Sequence, residues 1–117
     1  DGWIEKTIKL IRSLNGKVIA QGFGTTIDQA AFMLHFEIAG QRYKVIWPVL
    51  PTRSNQSIAA RRQAATLLFY DIKAKAMTAS VLGVEAAFFS YMMLPDGRIS
   101  SELVLPELID AFPKLLR

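Results

Sequence analysis

Cysteine is absent from the 117 residues. That excludes a disulfide framework, a thiolate metal centre and a cysteine nucleophile. Histidine occurs once, at His35, so an imidazole-rich zinc site has too few donors. No Ser or Asp stands at a recognised triad spacing from His35. Its simplest role is that of a half-exposed strand residue beside Lys44. Uninterrupted apolar runs long enough for a membrane-spanning helix, about eighteen residues, are missing as well. The opening DGWIEKTIKL has neither an initiator Met nor the pattern of a secretory signal. The expectation is a cytoplasmic protein with residues missing ahead of Asp1 and no membrane partner. Acidic side chains are fewer than basic ones, 10 against 14, for a net charge of +4. Such an excess permits binding to nucleic acid or anionic surfaces without requiring it.

What is present suits one α+β domain over residues 1–117. About half of the residues, 51%, are apolar, enough for a core at this length. Trp3, Ile4, Ile8, Ile11 and Leu14 recur at helical spacing and predict a short first helix, ended by Asn15-Gly16 with Gly in the left-handed cap. Residues 17–23 read as a first strand, followed by a small-residue loop over residues 22–26. Residues 30–38 and 41–49 read as a hairpin joined at Ala39-Gly40. Its register pairs Ile38 with Gln41, Phe36 with Tyr43, Leu34 with Val45 and Phe32 with Trp47 on a core face. Glu37 with Arg42, His35 with Lys44 and Met33 with Ile46 take the opposite face. Residues 57–80 form the central element, a long helix without Gly or Pro. On a helical wheel Ile58, Ala65, Leu68, Phe69, Ile72, Ala76 and Ala79 share one face, while Leu67, Tyr70 and Met77 lie on the far side and call for a second contact. Residues 84–93 read as a further helix, Leu94 to Arg98 as a tight turn, and residues 103–116 as a last helical region broken by Pro106 and Pro113. The predicted order is α-β-β-β-α-α-α, with helices mainly on one face of an antiparallel sheet.

Motifs for catalysis are weak. Gly22-Phe23-Gly24-Thr25-Thr26 resembles a phosphate loop only in its small residues. It lacks the GK[ST] ending and runs between strands instead of into a helix. Asp28, Asp71, Glu85 and Asp96 have no recognised carboxylate spacing; a two-metal nuclease would require the fold to gather them. No cofactor, metal site or catalytic residue is expected.

The basic residues carry more. Arg53, Arg61 and Arg62 cluster around the start of the central helix, with Lys73 farther along near Phe69, and Arg42 and Lys44 on the open hairpin face. Cations spaced along a groove with aromatic surface between them suit a phosphate backbone with stacked bases. They equally suit a solvated edge whose long side chains cover apolar surface. Arg61 falls on the core-facing side of the wheel, so it either snorkels past the sheet or points into a cleft.

The stretch ARRQAATLLFYDIKAKAMTASVLG with EAAFFSYMMLPDGR resembles a set of small phage and prophage proteins that share Ile-Lys-Ala-Lys and Leu-Pro-Asp-Gly-Arg. The resemblance implies a phage context, with DNA metabolism or interference with host proteins. The element order is also similar to that of double-stranded RNA-binding domains, whose Lys-Lys-x-x-x-Lys arrangement is absent here, and to single-strand annealing proteins, which hold DNA between a small sheet and a long helix. The expected function is non-enzymatic binding of nucleic acid, single-stranded DNA first. Arg42, Lys44, Arg53, Arg61, Arg62 and Lys73 would meet phosphates, and Phe69 or Tyr43 would stack a base. The alternatives are a protein-interaction module, as a homo-oligomer or an inhibitor of a host protein, and a metal-dependent nuclease.

Overall fold

The computed structural model describes residues 2–26, 29–50, 57–95 and 98–99. Helix α1 (Gly2–Ser13) leads into three antiparallel strands, β1 (Gly16–Thr26), β2 (Gln29–Ile38) and β3 (Gln41–Pro48), in spatial order β1-β2-β3. The long helix α2 (Ser57–Leu82) follows, then a short helix α3 (Val84–Ala87) and one 3-10 turn (Phe89–Tyr91). This is the expected α+β architecture.

Alternation of apolar and polar residues sets the hairpin. The observed register pairs Phe36 with Tyr43, Leu34 with Val45 and Phe32 with Trp47, as the pattern requires. Phe32, Leu34, Phe36 and Ile38 are all buried on the face beneath the helices. A one-residue slip would turn all of them to the other face. The connecting residues Ala39 and Gly40 have φ of 51° and 82°, the paired positive values of a type I′ turn, whose twist matches that of the strands. Strand β1 shifts register between Val18 and Ala20. Ile19 is the extra residue of this bulge, and it stands exposed.

Several boundaries differ from the sequence expectation, each for a local reason. Residues 24–26, expected in a loop, continue β1, where Gly24 pairs with Ala31 and Thr25 with Ala30. Asn15 takes the left-handed position after α1, at φ 62°, which its short polar side chain tolerates. Gly16 serves a different purpose: a Cβ there would lie 2.8 Å from Ile38 Cγ1 and 2.9 Å from the Ile11 carbonyl oxygen. It lets the end of α1 press against the sheet.

The core side of α2 is rotated from the wheel reading. Ala60, Ala64, Ala65, Leu68 and Ile72 are buried, whereas Ile58, expected in the core, is 72% exposed. Small side chains at 60 and 64 let the helix approach Val49, Trp47 and Phe23 closely. Leu67, Tyr70 and Met77 are exposed, but Leu67 borders a hollow with Trp47 and Pro48 and Tyr70 meets Trp3 of α1, so the far side expected for them is not a separate face.

The expected helix over residues 84–93 is cut short. Gly83, at φ 91°, breaks the chain away from α2, and α3 spans 4 residues. Beyond it Phe88 is fully buried among Phe36, Tyr43 and Tyr91. Tyr91 donates its O–H to the Asp71 carboxylate, and Lys75 Nζ sits 3.0 Å from the same group. Burial, then the Asp71 bond, raises the Tyr91 pKa far above its ordinary value. Met92 and Met93 leave helical geometry to join the sheet: Met92 bridges Tyr43, and the Met93 N–H donates to the Arg42 carbonyl at 2.9 Å. Leu94 N–H donates to the Arg98 carbonyl and Met93 bridges Ile99, on either side of the expected tight turn, whose Asp96 and Gly97 lie outside the described residues. The last helical region expected at residues 103–116 lies outside the described residues. No helix among those described is long and apolar enough to cross a membrane.

Candidate functional site

Helices α1 and α2 lie side by side on the core face of the sheet, and the start of each overhangs the edge strand β1. An open cleft of about 550 Å³ lies between them. Helix α1 supplies Trp3 and Lys6, three residues apart and therefore on one side of the helix. Strand β1 supplies Phe23, and the first turns of α2 supply Ile58, Arg61 and Arg62.

The aromatic rings are fixed from behind. Phe23 meets Phe32 edge-on at 4.9 Å, so its ring is an extension of the core. Trp3 leans on Phe69 at 5.5 Å and on Tyr70 at 5.8 Å, which ties α1 to α2. Cations cover the other sides: the Arg61 guanidinium carbon lies 5.0 Å from the Phe23 ring centre, and Lys6 Nζ lies 4.3 Å from that of Trp3. Each contact contributes on the order of 0.5–1 kcal/mol at an exposed site. That suffices to bias a long side chain toward one position without burying its charge. Among the described residues the lining holds three cations and no carboxylate. Among the described residues none of Lys6, Arg61 and Arg62 forms an ion pair.

Arg61 therefore does not enter the core. It stands exposed, with its guanidinium over the Phe23 ring, in the lining of the cleft. Arg62 lines the same cleft, whereas Lys73 is exposed three turns farther along α2 and does not line it. Phe69 is half-buried and acts as a prop for Trp3. Tyr43, considered as a base-stacking residue, is 0% exposed and stacks on Phe36 inside the core, so it cannot take that role. Arg53 lies outside the described residues.

Arg42 and Lys44 project from the opposite, open face of the sheet, as the register dictates. Glu37 partly neutralises this corner, with Lys17 at 3.4 Å and Arg42 at 3.8 Å. Lys44 has no such partner among the described residues. His35 lies between these groups. Burial, helped by Arg42 and Lys44 and opposed by Glu37, lowers its pKa, which favours the neutral imidazole.

Two basic sets thus occupy opposite faces of the sheet. Lys6, Trp3 and Phe23 were missed in the sequence because each had a sufficient local role, in an amphipathic stripe or a glycine-flanked turn. Phe23 between two glycines was the available signal, since a lone large ring at a sheet edge needs a cover. Among the described residues no three His, Asp or Glu side chains come together. Asp71 is engaged by Tyr91 and Lys75, and Asp28 and Asp96 lie outside the described residues. Comparison with protein-family models, curated proteins and solved structures yields no match to this chain.

Proposed function

We propose that the protein binds single-stranded nucleic acid, with DNA the first ligand to test, and does so without catalysing a reaction on it. One observation carries the reading: three cations without an ion pair and two aromatic rings, and no carboxylate, line a single open cleft among the described residues. Phosphates reward such a concentration of positive charge through counterion release. Aromatic and guanidinium planes reward bases whose faces are free, which a strand offers and a duplex does not.

A salt-titrated binding assay with a labelled single strand tests this. The pair Arg61→Ala/Arg62→Ala should weaken binding roughly ten- to a hundredfold and lower the log–log salt slope by about 1.4, at about 0.7 per lost phosphate contact. An unchanged slope and affinity, or no binding of the parent protein near physiological salt, would overturn the proposal. Duplex DNA and single-stranded RNA serve as comparison ligands.

A second reading, association with another protein, is favoured by a different face. Leu67, Tyr70, Ala74, Met77 and Val81 alternate at three- and four-residue steps along α2, and all are exposed. This spacing makes one helical seam of the kind that pairs with another helix. The simplest partner is a second copy. Sedimentation should then report a dimer that Met77→Glu returns to monomer; a monomer across the accessible concentration range counts against self-association.

A further inference from the structure

The open face of the sheet carries a second depression, of about 310 Å³, that spans all three strands. Gly22 and Gly24 of β1, Met33 of β2, and Lys44 and Ile46 of β3 line it. Phe23 lines this depression as well as the helix-side cleft. Because β1 is an edge strand among the described residues, the two hollows lie on either side of its rim, with Phe23 common to both.

The glycines at that rim are not explained by the fold. Neither has a positive φ, and a Cβ built on either meets nothing within 4 Å. Glycine inside a strand is destabilising by roughly 0.5–1 kcal/mol relative to alanine. Where neither backbone geometry nor packing among the described residues requires it, glycine in a strand suits a place where a ligand or another backbone approaches closely. Lys44, without an ion pair among the described residues, lines the same depression.

We propose that a bound single strand does not end in the helix-side cleft but crosses the rim of β1 at Phe23 and continues over Gly22 and Gly24 to Lys44. This rests on the nucleic-acid reading above and extends it. The two basic sets, which the sheet separates, become one track: Lys6 and Arg62, then Arg61 on Phe23, then the glycine saddle, then Lys44. Charge complementarity favours a polyanion as occupant over a peptide strand added to the β1 edge.

The test is affinity as a function of strand length. For the parent protein, affinity should rise with length until the strand spans both hollows. Lys44→Ala should weaken long strands severalfold and lower their salt slope by about 0.7, while leaving the shortest binding strands unchanged. Gly22→Val/Gly24→Val introduces side chains where space is open, with no change of charge. The variant should melt no lower than the parent, yet its affinity should stop rising at a shorter length, roughly tenfold below the parent on long strands. If long and short strands respond alike to Lys44→Ala, or if the valine pair leaves the length dependence intact, the strand does not cross the rim and the cleft reading stands alone. If the valine pair instead abolishes a dimer seen by sedimentation, the rim is a protein edge. If the parent binds no strand of any length, both proposals fail.

Discussion

Truncating Phe88 to alanine is expected to lower the free energy of unfolding by about 3–5 kcal/mol, the range for removing a fully buried ring. Phe88 has no exposed surface and packs edge-on to Phe36 and Tyr43, at 5.8 Å from each. It belongs to a segment that cannot hold itself: α3 has 4 residues, far below the length at which an isolated helix persists. Without Phe88 the segment loses its grip on the core, and the Tyr91 bond to Asp71 must then be kept by a chain with greater freedom. Urea denaturation measures the difference, with Phe89→Ala as the internal control. Phe89 is 60% exposed, so its truncation should cost clearly less than that of Phe88. Equal effects from the two neighbours would contradict the docking of this segment.

Gly16→Ala is expected to be the most damaging single-methyl addition, at about 1–3 kcal/mol. The new Cβ would meet Ile38 Cγ1 at 2.8 Å, Ile11 Cγ2 at 2.9 Å and the Ile11 carbonyl oxygen at 2.9 Å. Side-chain carbons can rotate away, but a backbone oxygen moves only if α1 moves. The substitution should therefore lower the melting temperature and also loosen the seat of α1, which carries Trp3 and Lys6. Gly24→Ala is the matching control, since its Cβ enters open space, and it should be neutral or slightly stabilising. If Gly16→Ala melts with the parent, α1 does not lie this close to the sheet.

The hairpin was legible because two strands independently carried the same alternation, and a slip would have buried Lys44 and Arg42 in the core. The long helix was legible in its extent but not in its orientation. Alanines on several sides let α2 turn without a large change in apolar burial, and close packing against Trp47 and Val49 selected the side bearing Ala60 and Ala64. Residues 84–93 carry a helical apolar pattern, yet burying Phe88 and pairing Met92 with Tyr43 outweighed that local preference. The candidate site was half legible. Arg61 and Arg62 are neighbours in the chain, but their partners at positions 3, 6 and 23 come from elements whose meeting is set by packing. Arg42 and Lys44 share the charge of Arg61 and Arg62 but not their side of the sheet, a distinction that composition does not contain.

The placement of Trp3 and Lys6 on α1 has a thermodynamic consequence. One wall of the cleft is carried by a separate element: were α1 to lift from the sheet, a ring and a cation would leave together and the remaining residues would face bulk solvent. A ligand that bridges Lys6 and Arg62 would bind only the seated form, so its binding energy would be added to the work of lifting α1. By the same linkage, anything that loosens α1 would weaken the ligand by an equal factor. The hold of the first helix on the sheet and the affinity of the cleft are then two readings of a single equilibrium.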